Sequence, residues 1–230
     1  MTITIAEFTR EPKIAYFSME IGLRSDMSTY SGGLGVLAGD TIKSAADLNL
    51  PMVAVTILTK KGYFKQELDI YGRQTEIPDE FDPNKFMIPL KERVTVSIEG
   101  RDVFIGAWLY LVESAIGYKV PIIFLDTDVP ENLERDREIT HYLYGGDLSY
   151  RLKQEIVLGI GGARMLDELG FEIKKYHMNE GHSSLLTIEL LKRYKRDIEE
   201  VWDERLIWDF EKVRSLCVFT THTPVEAGHD

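Results

Sequence analysis

The chain has little cysteine and no long apolar segment. Cys217 is the single cysteine among 230 residues, so no disulfide can form within the chain, and this favours a reducing compartment. No stretch of about 18 uninterrupted apolar residues occurs, and residues 1–10 lack the apolar core of a signal peptide. We therefore expect a cytoplasmic protein without a membrane span.

Positive charge is also scarce. The chain has 27 Lys and Arg against 38 Asp and Glu, a net charge of −11, which argues against nucleic acid or an anionic membrane as a partner. The chain also lacks a Walker-type glycine loop with lysine, the dinucleotide fingerprint and a partnered Ser/His pair. With 44% apolar residues it can still bury a substantial core. Any phosphate site must therefore rely on local dipoles and a few placed cations.

The stretch SGGLGVLAGD, residues 31–40, lies between a predicted strand at 13–18 and a predicted helix. Glycine allows close approach of a ligand, and a helix that begins inside such a loop directs unpaired N–H groups outward. The pattern predicts an anion site, most often for phosphate, with an ordinary tight turn as the alternative. The helix presents one apolar face: Leu34, Leu37, Ala38, Ile42, Ala45 and Leu48.

The helix is followed by an apolar strand at 52–58, which completes a βαβ unit. This unit predicts an α/β fold with a Rossmann-like, doubly wound sheet. Residues 62–73 suggest a loop or short hairpin, and 94–108 alternate around a turn at Glu99-Gly100. We expect the region up to residue 125 to be a β-meander inserted into, or continuing, the main sheet.

The second half of the chain predicts helices and two more strands. A charged helical segment, 130–141, is followed by a break at 144–147 and a long helix, 148–169. The glycines inside this helix, Gly159, Gly161 and Gly162, suggest close packing against a neighbour, and Gly170 ends it. The remaining predictions are a strand at 173–178, helices at 183–196 and 208–215, and a last buried strand at 216–220 containing a buried Cys217.

Polar side chains follow both of these strands. Asn179, Glu180 and His182 follow the first, and His222 lies between threonines after the second. Helix capping by Asn179 or Ser183 is one alternative. Zinc is another, but the H-E-x-x-H spacing is absent and we expect no metal. Because adjacent parallel strands end at one edge, these groups and the glycine loop predict a pocket for a hydroxyl-rich, phosphate-bearing ligand.

Six ordered motifs resemble one family of enzymes. They are AYFSMEIGL, YSGGLGVLAGD, GYFKQ, RLKQEIVLGIGG, NEGHSS and FTTHTPVEAGHD, and they extend from residue 14 to 230. Together they resemble the N-terminal half of a short-form α-glucan phosphorylase, the family of the glycogen, starch and maltodextrin phosphorylases. The resemblance implies the N-terminal domain of a two-domain GT-B glycosyltransferase. It also implies transfer of a glucosyl unit from α-1,4-glucan to phosphate with retention, with pyridoxal phosphate as cofactor.

The resemblance also implies roles for particular residues. Gly32, Gly33 and Leu34 would face the phosphates and the glucosyl unit. His222 would contact the glucosyl hydroxyls, with its carbonyl near the developing oxocarbenium charge. Asn179, Glu180 and His182 would line the approach, and Glu180 stands where longer members usually have aspartate. A mobile gate would comprise Tyr144, Gly145, Gly146 and Asp147, called the gate segment below.

One departure from the family pattern limits what the chain can do. The cofactor lysine lies in a motif resembling Gly-Thr-Gly-Asn-Met-Lys, and no such stretch occurs here. We expect residues 1–230 to be the N-terminal domain only, from a truncation or a split gene, with the C-terminal domain as the missing partner. The polypeptide alone is predicted to be inactive. Maltooligosaccharide and phosphate are the expected ligands, and a second copy of the chain is a candidate partner.

Two other functions stay open at the level of sequence. A nucleotide-sugar glucan synthase carries a similar glycine loop, although the NEGHSS and RLKQE stretches argue against it. A non-catalytic glucan-binding domain is the alternative outside the enzymes, because half of the expected site is missing.

Overall fold

The structure is a computed structural model, and it describes residues 5–197, 203 and 207–222. A helix lies between the first two strands of this part, the next six strands follow without an α-helix between them, and most of the helices lie after the eighth strand. Their bounds are β1 Lys13–Phe17, β2 Met52–Ile57, β3 Tyr63–Leu68, β4 Gln74–Asp79, β5 Ile88–Pro89, β6 Val94–Ile98, β7 Arg101–Glu113, β8 Lys119–Asp126, β9 Ile173–Asn179 and β10 Cys217–Thr220.

One mixed sheet organises the described residues. Its strand order is β10-β9-β1-β2-β8-β7-β5, with β6 paired to β7. The first five strands of this order are parallel to one another, and β7 pairs antiparallel with β8. All six residues of β2 are buried, as expected for a central parallel strand covered on both faces. The meander from β6 to β8 continues the main sheet, and β3 and β4 form a separate hairpin.

Helices cover both faces of the sheet. One face carries α1, whose Ile42 joins a buried cluster with Tyr16 and Phe124. The other carries the helices after β8, whose Leu158 and Leu186 join a second cluster. The doubly wound α/β fold is therefore confirmed. The helix bounds are α1 Gly33–Asp47, α2 Glu134–Arg137, α3 Leu148–Ile156, α4 Gly162–Glu168, α5 Leu186–Arg193 and α6 Phe210–Leu216.

The direction of winding reverses beside β1. The chain leaves β1 through α1 to β2 and β8, and then returns to place β9 and β10 on the opposite side of β1. The loops after β1 and β9 therefore diverge at the carboxyl edge of the sheet. In open α/β sheets such a switch point leaves a crevice where ligands bind.

The buried face of α1 differs from the expected one. Leu37 is 40% exposed and Leu48 is 70% exposed, whereas Gly35 and Gly39 face inward. A Cβ atom on Gly39 would lie 1.8 Å from the carbonyl oxygen of Gly22. The helix thus packs against loop backbone rather than against side chains, and such a close approach requires glycine.

The long helix predicted at 148–169 is interrupted. Five residues, Val157–Gly161, form a π-helical turn between α3 and α4. The close packing predicted for its glycines is confirmed, since a Cβ on Gly159 would lie 2.7 Å from the Leu186 nitrogen. A Cβ on Gly162 would lie 2.8 Å from the Phe17 ring. A π-helical turn changes the spacing of the helix hydrogen bonds locally, and here it occurs where the helix packs closely against its neighbours.

The helix predicted at 183–196 and the strand predicted at 216–220 also differ from expectation. The helix predicted from residue 183 begins only at Leu186, after a 3₁₀ turn at Gly181–Ser183. Strand β10 is exposed rather than buried, with Phe219 54% exposed and Cys217 half-buried. The reason is its position, because among the described residues β10 pairs only with β9.

The turn prediction between β6 and β7 is confirmed. Glu99 and Gly100 both have positive φ, 51° and 75°, which is the backbone of a type I′ hairpin turn. Among the described residues, no helix has the length and apolar character needed to cross a lipid bilayer.

Candidate functional site

The site lies at the carboxyl edge of the sheet, between β1 and β10. Asn179, at the end of β9, is 1% exposed. Its Nδ2 donates to Ser18 Oγ at 3.2 Å, after β1, and its Oδ1 lies 2.9 Å from His222 Nε2, after β10. An amide oxygen only accepts, so His222 carries its proton on Nε2. Asn179 thereby joins three neighbouring strand ends and sets the tautomer of His222.

Glu180 takes an unusual backbone conformation beside this contact. Its φ of 65° and ψ of 179° lie in a region used almost only by glycine. Its N–H donates to the Thr220 carbonyl at 2.9 Å, and its carboxylate accepts a hydrogen bond from the His222 N–H. The strained turn therefore directs a buried carboxylate to the backbone of His222. Strain of this kind concentrates at functional sites.

The glycine loop forms the opposite side of the site. Gly32 precedes α1 with extended backbone, and no side chain caps the helix there. Gly32 and Gly33 are exposed, and a Cβ on either would meet no atom within 4 Å. The N–H groups of Gly33 and Leu34 have no acceptor within the helix. The loop thus presents free donors and the positive end of a 15-residue helix to the crevice.

A carboxylate that sequence reasoning missed occupies part of this loop. Glu20 is 3% exposed, and its Oε2 accepts hydrogen bonds from the N–H groups of Ser31 and Gly32 at 2.7 and 3.1 Å. The Gly32 N–H is therefore engaged within the chain, whereas Gly33 and Leu34 keep theirs. Glu20 follows β1 by three residues, so the strand-end rule that singled out Asn179 also applied to it.

The gate segment contributes Tyr144 to the same crevice. Its hydroxyl donates to Glu20 Oε1 at 3.1 Å, and its ring lies 5.4 Å from that of His182, between ring centroids. The guanidinium carbon of Arg151 also lies over the Tyr144 ring, 5.7 Å from its centroid. Burial, then the neighbouring Glu20, raise the pKa of Tyr144 far above its usual range. Tyr144 therefore stays a neutral donor to Glu20.

The rest of the gate segment makes local contacts, with Gly145 half-buried and its N–H donating to the Tyr142 carbonyl. Gly146 takes a φ of 71°, and Asp147 caps α3 by accepting a hydrogen bond from the Tyr150 N–H at 2.9 Å. Asp147 is exposed at the start of that helix. The structure thus joins Tyr144 to the other candidate residues and gives Asp147 a capping role.

His182 is held neutral behind the gate segment. Burial, followed by the positive charge of Arg151, lowers the pKa of the imidazole. Its Nδ1 is buried and has no hydrogen-bond partner among the described residues. The capping alternative for Asn179 and Ser183 is wrong, because Leu185 precedes α5 and no side chain caps that helix.

The arrangement combines a neutral imidazole, a buried amide and carboxylate, and an uncapped helix N-terminus. These groups can hold hydroxyl groups by hydrogen bonds and an anion by helix N–H donors. No group of three metal-binding side chains occurs among the described residues. The threonine, proline and glycine positions after His222, residues 223–230, lie outside the described residues.

Sequence comparison agrees with the resemblance in the motifs. No protein-family model matches the chain. Maltodextrin phosphorylase of Thermococcus litoralis is 41% identical over 229 residues, 96% of this chain and 26% of that protein. Glycogen phosphorylases of Mycobacterium tuberculosis and Aquifex aeolicus are 41% and 34% identical over 94% and 96% of the chain, and it covers 26% and 32% of them. Over most of its length, the chain is therefore similar to one part of the maltodextrin and glycogen phosphorylases.

The chain spans about a quarter of the length of the first two curated relatives, aligned with their N-terminal part. A solved structure supports its fold. The catalytic domain of starch synthase IV from Arabidopsis thaliana, bound to ADP and acarbose, superposes on 90% of the chain with a TM-score of 0.54 at 11% identity. The chain covers 33% of that domain, a GT-B glycosyltransferase. At this identity the likeness concerns the fold alone, and it agrees with the predicted GT-B half.

Proposed function

We propose that this chain forms the N-terminal wall of the active site of an α-glucan phosphorylase. The reaction is transfer of a glucosyl unit from the non-reducing end of an α-1,4-glucan to inorganic phosphate, giving glucose 1-phosphate with retention. The observation that carries the proposal is the convergence of Asn179, Glu180 and His222 with the uncapped α1 terminus at one switch point. The sequence relatives supply the reaction class.

The residues divide between binding the sugar and binding phosphate. His222 contacts glucosyl hydroxyls, and its carbonyl lies near the charge that develops on the sugar. Asn179 and Glu180 support this role because they hold the ring and the backbone N–H of His222 in place. The N–H groups of Gly33 and Leu34 bind phosphate oxygens, since the helix end favours negative charge there. His182 lines the approach beside Tyr144.

The glycine loop of this wall suits the phosphate group of pyridoxal phosphate. Gly32 and Gly33 leave open space beside free helix N–H groups, which is a suitable cradle for a phosphate group. When bound, the cofactor supplies a phosphate group that exchanges a proton with the substrate phosphate. The lysine that would hold the cofactor is absent from the chain. We propose that a C-terminal domain provides it, and that residues 1–230 form the N-terminal domain.

The remaining partner and location assignments are also proposals. The single cysteine supports a reducing, cytoplasmic location. A homodimer stays a prediction from the family resemblance.

Binding of inorganic phosphate to matched variants at position 33 tests the proposal. Position 33 is the first residue of α1, where proline is tolerated and removes one N–H donor. We expect Gly33→Pro to weaken phosphate binding about tenfold, since one hydrogen bond to a charged group contributes roughly 1.5–3 kcal/mol. Gly33→Ala also places a Cβ atom in the open space but keeps the donor, so it is expected to bind phosphate more tightly than Gly33→Pro does. The measurement is the shift of the Leu34 amide signal, which the parent and both variants have in common, during titration at low salt.

Further ligands separate the alternative functions. Maltooligosaccharide is expected to shift the signals of Asn179 and His222, whereas UDP-glucose is expected to shift neither set. Binding of UDP-glucose at the glycine loop would favour a glucan synthase instead, and equal phosphate affinity of both position-33 variants would contradict the phosphate assignment. The 230-residue polypeptide alone is expected to release no glucose 1-phosphate and to show no absorbance band of bound cofactor.

A further inference from the structure

Glu20 is the one carboxylate among the described residues that contacts both the glycine loop and the gate segment. Its Oε2 accepts from the N–H groups of Ser31 and Gly32, and its Oε1 accepts from the hydroxyl of Tyr144. Ser31 and Tyr144 are 113 positions apart in the chain. The two segments are therefore joined through opposite oxygens of one buried side chain.

The first turn of α1 determines where this carboxylate lies. A Cβ atom on Gly35 would lie 2.8 Å from Glu20 Oε2 and 2.3 Å from Cβ of Tyr30. Only glycine at position 35 leaves room for the carboxylate against the helix. Burial of a carboxylate is costly unless it is hydrogen-bonded, so these three donors are needed to keep Glu20 in place.

The partner on the other side is held less directly. Tyr144 has a φ of 53°, which is uncommon outside glycine. Its ring contacts His182 and Arg151. Because Tyr144 belongs to the gate segment, a movement of that segment would change the hydrogen bond to Glu20. Because both oxygens share one charge, losing the Tyr144 donor changes how strongly Oε2 accepts from the glycine loop.

We propose that Glu20 is a positioning residue which couples the gate segment to the glycine loop. With Tyr144 in place, the carboxylate holds Ser31 and Gly32 and leaves Gly33 and Leu34 as the free donors. When the gate segment moves, the glycine loop loses this support. The functional meaning of the coupling rests on the proposed phosphorylase site, but the coupling itself is measured without any substrate.

Assigned amide spectra of the 230-residue chain test the coupling. Tyr144→Phe removes only the hydroxyl, and we expect the Ser31 and Gly32 amide signals to shift and their hydrogen exchange to accelerate. Tyr142→Phe is the matched control, because Tyr142 lies in the same part of the chain with a ring that is exposed. It is expected to leave both amides unchanged. Glu20→Gln tests the intermediary, and Tyr144→Phe in that background is expected to add no further shift.

Three results would overturn the proposal. The first is an unchanged Ser31 and Gly32 signal in Tyr144→Phe, the second an equal shift in Tyr142→Phe, and the third a full Tyr144→Phe effect in the Glu20→Gln background. The comparison of the two tyrosine variants decides the matter even where Glu20→Gln does not fold. Failure of phosphate to bind, with the coupling intact, would count against the proposed function alone.

Discussion

At the scale of single residues, the strain at Glu180 is the clearest sign of function. The residue holds a conformation that costs about 1–3 kcal/mol for a side chain other than glycine, with φ 65° and ψ 179°. Two hydrogen bonds hold Glu180 in this conformation: its N–H donates to the Thr220 carbonyl, and its carboxylate accepts from the His222 N–H. The local cost is offset by an ordered connection between β9 and β10.

Paired substitutions at Glu180 measure this strain. Glu180→Ala and Glu180→Gly both remove the carboxylate, but only alanine keeps a Cβ atom at the positive φ. We expect the glycine variant to be the more stable by about 1 kcal/mol, since relief of strain exceeds the unfolded-state cost of glycine. Urea unfolding of the two variants gives the difference directly. An alanine variant of equal or greater stability would show that the backbone is relaxed there.

Among elements, the π-helical turn between α3 and α4 supports the site from behind. Gly159 of the turn lies against the backbone of Ser183 and Leu186, the segment that follows His182. Gln154, one turn earlier, is fully buried, and its side-chain amide nitrogen Nε2 donates to the carbonyls of Ile139 and Tyr142 at 2.8 Å each. The continuous helix from α3 through the π-helical turn therefore holds both the residues just before the gate segment and the turn after β9.

Alanine at position 159 tests this support. A Cβ atom there would lie 2.7 Å from the Leu186 nitrogen and 3.1 Å from the Ser183 carbonyl oxygen. Both are backbone atoms and cannot rotate away, so we expect a loss of about 1–3 kcal/mol in unfolding free energy. The His182 ring signals are expected to shift as well. Gly181→Ala is the control, since its Cβ would meet no atom within 4 Å; equal losses in both variants would argue against backbone crowding.

For the whole molecule, buried histidines govern stability in mild acid. Burial is the main cause that lowers the pKa of His141, His177 and His182 below the ordinary value. In the unfolded chain these rings protonate near pH 6.5. Below that pH the unfolded state binds more protons than the folded state, so the free energy of unfolding falls as the pH falls.

The pH dependence of urea unfolding checks this sign. We expect the midpoint to decrease between pH 7 and pH 5.5, and His141→Gln to reduce the decrease, because His141 is 6% exposed. Burial raises the pKa of Glu155 and Asp167, which act in the opposite sense but equally in both proteins. Above pH 7 the two proteins are expected to keep a constant difference. An unchanged pH dependence in His141→Gln would mean that this ring titrates normally when folded.

The sequence by itself determined the βαβ unit, the hairpin turn at Glu99-Gly100, the strand ends that carry Asn179 and His222, and the family resemblance. These follow from local patterns: apolar runs, turn residues and polar groups after strands. Roles in catalysis and cofactor binding stay predictions for Gly33, Leu34 and His222. Helix α1 begins in the glycine loop, as predicted, because glycine and the apolar periodicity determine structure within a few neighbouring residues.

Only the tertiary structure decided which faces are buried and which polar groups meet. Leu37 points outward because α1 packs through Gly39 against the backbone of Gly22. Strand β10 is exposed because, in the part of the chain that the structure describes, it has β9 as its one neighbour. Glu20 meets Tyr144 across 124 residues, a contact created by chain winding that no local pattern encodes. Contacts between distant residues therefore decide which N–H donors of the predicted phosphate loop are free. Glu20 accepts from Ser31 and Gly32, and the donors of Gly33 and Leu34 stay open to the crevice.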